Sequence, residues 1–175
     1  MRTIELDAAP VAAPASPDAG FTEFATVAAP RLRRTAYLMT RDWHLAQDLT
    51  QITLARMYAS WKRVRRAANL EAYSRKVLMN VVFDHRRRRS ELVVAELPDR
   101  GVDSGGTPEL HIVLLRALAT LPVRDQAIVV LRHWEDRSVD QVAEILGVSA
   151  SVVKMQNMRS LARLRELLGE DFPLA

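Results

Sequence analysis

The chain contains no cysteine, which excludes disulfide bridges and thiolate metal sites. Its four histidines, His44, His85, His111 and His133, are scattered without metal-ligand spacing. There is no HExxH, no Ser/His/Asp arrangement and no glycine-rich phosphate loop. These absences argue against an enzyme and against a cofactor or bound metal. No apolar run approaches the ~18–20 residues of a membrane span. The opening MRTIELDAAP has neither the basic nor the apolar stretch of a secretory signal. The expectation is a cytoplasmic protein with no membrane partner.

Aromatic residues make up only 6% of the chain, while 49% is hydrophobic and Ala, Leu, Val and Arg abound. That profile suits helices better than sheets. At 175 residues there is room for one ordinary domain or two small ones. What stands out is where the positive charge lies. Trp61–Arg89 holds ten basic residues against Glu71 and Asp84, a net +8, whereas the whole chain carries +4, so the remainder is net −4. The window opens on Lys62, Arg63, Arg65 and Arg66 and closes on four consecutive arginines, Arg86–Arg89.

Neutralising phosphates with such a cluster releases condensed counterions, and that release drives binding to a polyanion. Within the window Leu70, Tyr73, Val77, Val81 and Val82 recur at helical spacing. This predicts a helix anchored on one face, with Arg75, Lys76, Asn80, Asp84 and Arg87 turned outward. A merely solvated charged face is the alternative, but nucleic acid is the better reading. His85, beside the arginines, reads as a DNA-facing or ordinary surface residue rather than a ligand.

Taken in order, residues 1–20 are Ala/Pro-rich and aperiodic, the pattern of a disordered tail. A helical domain is expected over 21–89. Its first helix runs from about Phe21 to Thr40 and should kink or break at Pro30. Asp42 is placed to cap a second, from Trp43 to about Ser60. That helix has a buried stripe of Ala46, Leu49, Thr53, Leu54, Met57 and Trp61, and an opposite face of Gln47, Asp48, Gln51 and Ala55. Asn69 should cap the basic helix. Residues 90–109 carry five acidic residues, one basic residue, two prolines and three glycines, a flexible acidic linker across which few contacts are expected.

A second domain follows over 110–168, and 169–175 is a short tail. Leu110–Thr120 is periodic, and Pro122 opens a helix reaching Trp134. Ser138 and Gln141 form a capping box for a short helix ended by Gly147. Ser149 caps the last helix, with Val148 and Val153 as a hydrophobic staple. A short helix, a Gly-containing turn and a longer basic helix is a helix-turn-helix pattern. On the final helix Val153, Asn157, Leu161, Leu164 and Leu168 face inward. Ser151, Lys154, Met155, Met158, Arg159 and Ala162 face outward, where base edges could be reached.

An all-α chain of two small domains, a hyperbasic helix in the first and a helix-turn-helix in the second, resembles the sigma-70 family of RNA polymerase sigma factors. It is most similar to the two-domain, extracytoplasmic-function (group 4) class. The resemblance rests on HLAQDLTQITLARMYASW (44–61), NLEAYSRKVLMNVVFDHRRRR (69–89), LPVRDQAIVVLRHWEDRSVDQVAEILGVSASVVK (121–154) and RSLARLRELL (159–168).

It implies that Gln47, Asp48 and Gln51 of a region 2-like bundle dock on the β′ clamp coiled coil of core RNA polymerase. It implies that Lys62, Arg63, Arg65, Arg66 and Asn69 hold a base flipped from the promoter −10 element. Arg75, Lys76, Asn80, Asp84, Arg86 and Arg87 would meet the −10 strand, with Asn80 the leading base reader. A region 4-like domain would sit by the β flap and read the −35 element through Ser149, Ser151, Val152, Lys154, Met155, Met158, Arg159 and Arg163. The resemblance also admits an anti-sigma factor as partner.

Members of the family often carry Gly-Thr before Val-Lys in the last helix, where this chain has Ser151 and Val152. Val152 has no hydroxyl for phosphate, and the two methionines offer apolar contact such as to a thymine methyl. A stand-alone helix-turn-helix regulator is the competing reading. It accounts for Ser138–Leu168 but leaves Trp61–Arg89 and the Asp48/Gln51 face without a role.

Overall fold

The structure is a computed structural model that describes residues 19–92 and 109–169. The expected N-terminal tail, the linker and the C-terminal tail lie outside the described residues, apart from their edges. Among the described residues all regular structure is helical. No described helix is long and apolar enough to cross a membrane, and among the described residues no group of three or more His, Asp or Glu gathers as metal ligands.

The first four helices are α1 (Ala19–Thr40), α2 (Trp43–Ala59), the short α3 (Trp61–Val64) and α4 (Leu70–Leu92). α1 runs through Pro30 without a break. Proline removes one hydrogen bond there, but Leu32, Ala36 and Met39 are fully buried just beyond it. Burying such side chains is worth about 1.5–3 kcal/mol each for the larger ones, enough to hold the helix across the defect. α2 begins where the sequence places it, since the Asp42 carboxylate accepts from the Leu45 N–H at 3.0 Å. Ala46, Leu49, Thr53, Leu54 and Met57 form its buried stripe as expected, joined by Thr50. Trp61 falls one element later, in α3, and is buried there.

α4 departs from the expected face. Asn69 caps it, accepting from the Ala72 N–H at 2.9 Å, and Val81 and Val82 are buried. Leu70, Tyr73 and Val77 are only half-buried, while Ser74, Arg75, Leu78 and Met79 are inside. The reason is that α4 is covered on two sides. α1 and α2 pack on one, and the second domain packs on the other.

That domain comprises α5 (Glu109–Ala119), α6 (Val123–Val129), α7 (Val139–Leu146) and α8 (Ala150–Leu168). α6 continues into a π-helical turn over Val130–Trp134, closed by the Glu135 N–H on the Val130 carbonyl at 3.1 Å. Gln126 through Leu131 are all buried, as for the central helix of a bundle. The capping box forms as read. The Gln141 N–H donates to Ser138 Oγ at 3.2 Å, and the Ser138 N–H to Gln141 Oε1 at 2.9 Å. Gly147 ends α7 at φ 66°, and Ser149 caps α8 by accepting from the Val152 N–H at 3.3 Å.

The expectation that few contacts cross between the domains is not met. Arg75 of α4 is only 4% exposed and pairs with Glu135, Nη2 to Oε2 at 2.6 Å, with Nε donating to the same oxygen at 2.7 Å. Glu135 also accepts from the Thr35 hydroxyl of α1. Gln126, fully buried, donates from Nε2 to the Leu38 carbonyl at 2.9 Å. Residues from both domains belong to one continuous apolar core.

Gly147 occupies the left-handed region with open space where a Cβ would sit. Gly147→Ala is therefore expected to destabilise the chain by about 1–2 kcal/mol through backbone strain alone. The check is a lowered urea midpoint with an unchanged slope, and Gly147→Asn should lose less.

Candidate nucleic-acid interface

The basic surface of the first domain is built from a loop and the helix that follows it. Lys62 and Arg63 on α3, then Arg65, Arg66 and Asn69 on the loop, are all exposed. The cap role of Asn69 uses its amide oxygen and leaves the NH₂ group to face outward. One turn on, Lys76 and Asn80 are exposed on α4. Between loop and helix lies a shallow cavity of about 210 Å³. It is smaller than the ~300–1,000 Å³ typical of cofactor or drug sites and is lined on this side by Ala67, Ala68, Asn69, Ala72, Tyr73 and Lys76. Glu144 and Ile145 of α7 line its other side.

Three of the predicted strand-facing residues are engaged elsewhere. Arg75 is buried against Glu135, as above, and does not face outward. Arg86 is half-buried and donates from Nη2 to the Met39 carbonyl at 2.7 Å, satisfying an end of α1 with a cation where the helix dipole is negative. Asp84 sits between Arg56 at 3.5 Å and Arg87 at 3.6 Å, so its carboxylate orients guanidinium groups. Arg87, Arg88 and Arg89 remain exposed.

Arg41 is a cation that the sequence reading missed. With Thr40, Leu45, His85, Arg86 and Arg89 it lines a second cavity of about 190 Å³. No local signal marks it, because it joins the cluster through the turn between α1 and α2. Burial lowers the pKa of Arg86, and the like charges of Arg41 and Arg89 lower it further. His85 is lowered first by burial and then by Arg89 and Arg86.

On α2, Asp48 and Gln51 are exposed and Gln47 is half-buried. Gln47 Oε1 accepts from Arg33 at 3.1 Å, and the Arg33 guanidinium lies 4.9 Å from the ring centroid of Trp43. Ile52, one turn after Asp48, is also exposed at 43% and adds an apolar contact that the polar reading of this face omitted. In α8, Ser151, Lys154, Met155, Met158, Arg159 and Arg163 form an exposed face, with Met158 at 66%. Val152 is half-buried. Ser149 gives its hydroxyl to the helix cap and lies 2.9 Å from the Ser151 hydroxyl. Asn157, expected inside, is half-buried and bonded to His133 Nε2 at 3.0 Å.

The family model for sigma-70 region 2 matches residues 26–91, and that for sigma-70, region 4 matches residues 111–164. The RNA polymerase sigma-E factor of Streptomyces avermitilis is 37% identical over 153 residues, covering 85% of this chain and 84% of that one. The chain belongs to the sigma-70 family. Its relatives include the extracytoplasmic-function sigma factor SigM of Mycobacterium tuberculosis, 30% identical over 79% of this chain and 72% of that protein.

In fold, this sigma factor is similar to the sigma factor RpoE solved in complex with the anti-sigma factor NepR from Bartonella quintana. The TM-score is 0.75 at 24% identity, over 87% of this chain and 98% of that one. Coverage of that extent takes in both domains. The two family blocks coincide with the two helical groups, and the basic loop, α4 and α8 lie inside them.

A histidine held below its ordinary 6.5 stabilises the fold while neutral. That contribution is present above the unfolded pKa and is lost as pH falls through 6.5 toward the folded value. His85 is therefore expected to titrate below 6.5 in the free sigma factor and to shift upward when a phosphate joins Arg41, Arg86 and Arg89. Following its ring protons by NMR, with and without DNA, checks both statements.

Proposed function

We propose that this chain is a sigma subunit that binds core RNA polymerase and directs it to promoters through the −35 and −10 elements, promoting strand opening. The observation that carries this reading is the pairing, in one chain, of an exposed basic loop-and-helix surface with a helix-turn-helix whose second helix is also basic and exposed. A duplex-reading element alone would need only the latter. Unstacking a promoter base costs a few kcal/mol. A protein that holds the extruded base and clamps its strand electrostatically offsets that cost without nucleotide hydrolysis.

In this reading Asp48, Gln51 and Ile52 dock on the polymerase clamp, with Gln47 held by Arg33 at the edge. Lys62, Arg63, Arg65, Arg66 and Asn69 receive the flipped base, and Lys76 and Asn80 follow the −10 strand. Ser151, Lys154, Met155, Met158, Arg159 and Arg163 read or flank the −35 duplex. Catalysis belongs to the polymerase, the chain works in the cytoplasm, and an anti-sigma factor is a further partner class. Run-off transcription with core enzyme on a genomic promoter library tests the whole reading. No promoter-dependent transcript from any template would overturn it.

Asp48→Ala with Gln51→Ala is expected to weaken core binding by tenfold or more, as for paired interface residues, while helicity and melting temperature stay unchanged. Competition with the unaltered protein for core polymerase measures it. Asn80→Ala should lose about 10–100-fold in affinity for a pre-melted −10 bubble in a base-dependent way and keep duplex binding. Arg159→Ala should weaken −35 binding across sequences and lower the salt slope by about one unit.

A further inference from the structure

We infer that the basic pocket between the α1–α2 turn and the end of α4 is built to bind a phosphate group, and that a polyphosphate is the ligand class it fits best. The inference goes beyond the sigma-factor reading and does not depend on it. The pocket lies away from the surface proposed for the −10 strand. A helix advances about 100° per residue, so His85 and Arg89 project about 140° and 180° around α4 from Asn80.

The packed side of α4 runs apolar through Leu78 and Val82, both fully buried. At the same i+3 and i+4 spacing it continues into His85, Arg86 and Arg89. A packed stripe that ends in cations needs counter-charge nearby. None lines this cavity of about 190 Å³, whose walls are Thr40, Arg41, Leu45, His85, Arg86 and Arg89. The acidic neighbours in sequence are engaged elsewhere. Asp42 accepts from the Leu45 N–H at the α2 cap, and Asp84 holds Arg56 and Arg87. Burial lowers the pKa of Arg86, and the repulsion of Arg41 and Arg89 adds to it.

Arg41 marks the pocket as a built one. Its backbone stands at φ 60°, the left-handed region that glycine or asparagine ordinarily fills after a helix. A residue with a Cβ is strained there. Its Nε is buried and meets no acceptor among the described residues. A buried N–H without an acceptor is costly, and a bound oxyanion supplies one. Arg86 is already held in place by the Met39 carbonyl at 2.7 Å. Guanidinium groups pair with phosphate through parallel N–H bonds. Three of them, with His85 gaining a proton, match a di- or triphosphate better than a single phosphate. The volume is below the ~300–1,000 Å³ of a site for a whole ligand. The pocket therefore takes the phosphate end, and the rest of the ligand stays outside.

The test is a titration of the full free chain with sodium pyrophosphate, followed through the His85 ring protons by NMR. Sodium chloride at equal ionic strength is the control. Pyrophosphate should bind saturably and raise the His85 pKa, and chloride should do neither. Arg89→Gln should cut the affinity by about tenfold or more, as for loss of a charge-assisted pair. Arg41→Gly separates binding from folding, because it removes the guanidinium and the left-handed strain together. It should weaken pyrophosphate by about tenfold while the melting temperature holds or rises. An Arg41 that served only the fold would instead lower the melting temperature and leave binding as it was.

A duplex oligonucleotide added to the pyrophosphate-loaded chain shows where the phosphate comes from. Displacement assigns the pocket to a backbone phosphate of DNA, and joint occupancy assigns it to a free phosphorylated small molecule. Either keeps the site. No saturation beyond the chloride control, or an affinity unchanged in both variants, would overturn it and return these arginines to solvated surface.

Discussion

The arrangement of this protein depends on removing one guanidinium from water. Arg75 is surrounded by α1, α4 and the turn after α6, and its charge is met by Glu135 with Thr35 and Glu71 beside it. A buried ion pair of this kind adds little net stability compared with well-packed apolar residues, but breaking it from one side costs about 3–5 kcal/mol. Its effect is therefore on geometry more than on stability. Domain packings that leave Arg75 buried without a carboxylate are penalised, and the one that supplies Glu135 is selected. The surrounding apolar surface of Leu38, Met39, Leu78 and Met79 contributes the undirected part of the attraction.

Charge is arranged by the same logic on a larger scale. The +8 window is not one surface. Arg75 closes a seam, Arg86 satisfies a helix end, and Arg87 leans on Asp84. The residues left to meet phosphate are the loop cations, Lys76, Arg88 and Arg89, and Arg41 joins them from outside the window. Three of the ten cations of this apparently uniform cluster are thus tied to partners within the chain. A salt slope measured on this surface counts only the cations that remain.

The helix boundaries were legible because they are set by local chemistry. Asp42, Asn69, Ser138 with Gln141, Gly147 and Ser149 each satisfy or end a helix using neighbours within a few residues. The buried stripe of α2 was legible because one partner layer covers it. α4 was misread where two layers meet. Its Arg75/Met79 side looks polar in sequence, and only the arrival of the second domain makes it interior. Arg41 and Ile52 were missed for different reasons, the first placed by a tertiary turn and the second hidden among polar neighbours. The outward face of α8 was read correctly, and Ser151, Lys154, Met155, Met158 and Arg159 are exposed there. Pro30 was read as a kink or break because its local cost was weighed without the burial of Leu32, Ala36 and Met39 beyond it.

The π-helical turn over Val130–Trp134 bears on how such a chain can diverge. Each residue of an ordinary helix advances the direction of the next by about 100°, and a π turn holds one residue more than an α turn. Removing one residue there would turn the π turn into ordinary helix and change where Glu135 stands relative to Arg75. A one-residue change of length in this turn would therefore disturb the Arg75–Glu135 pair as surely as a substitution of either partner.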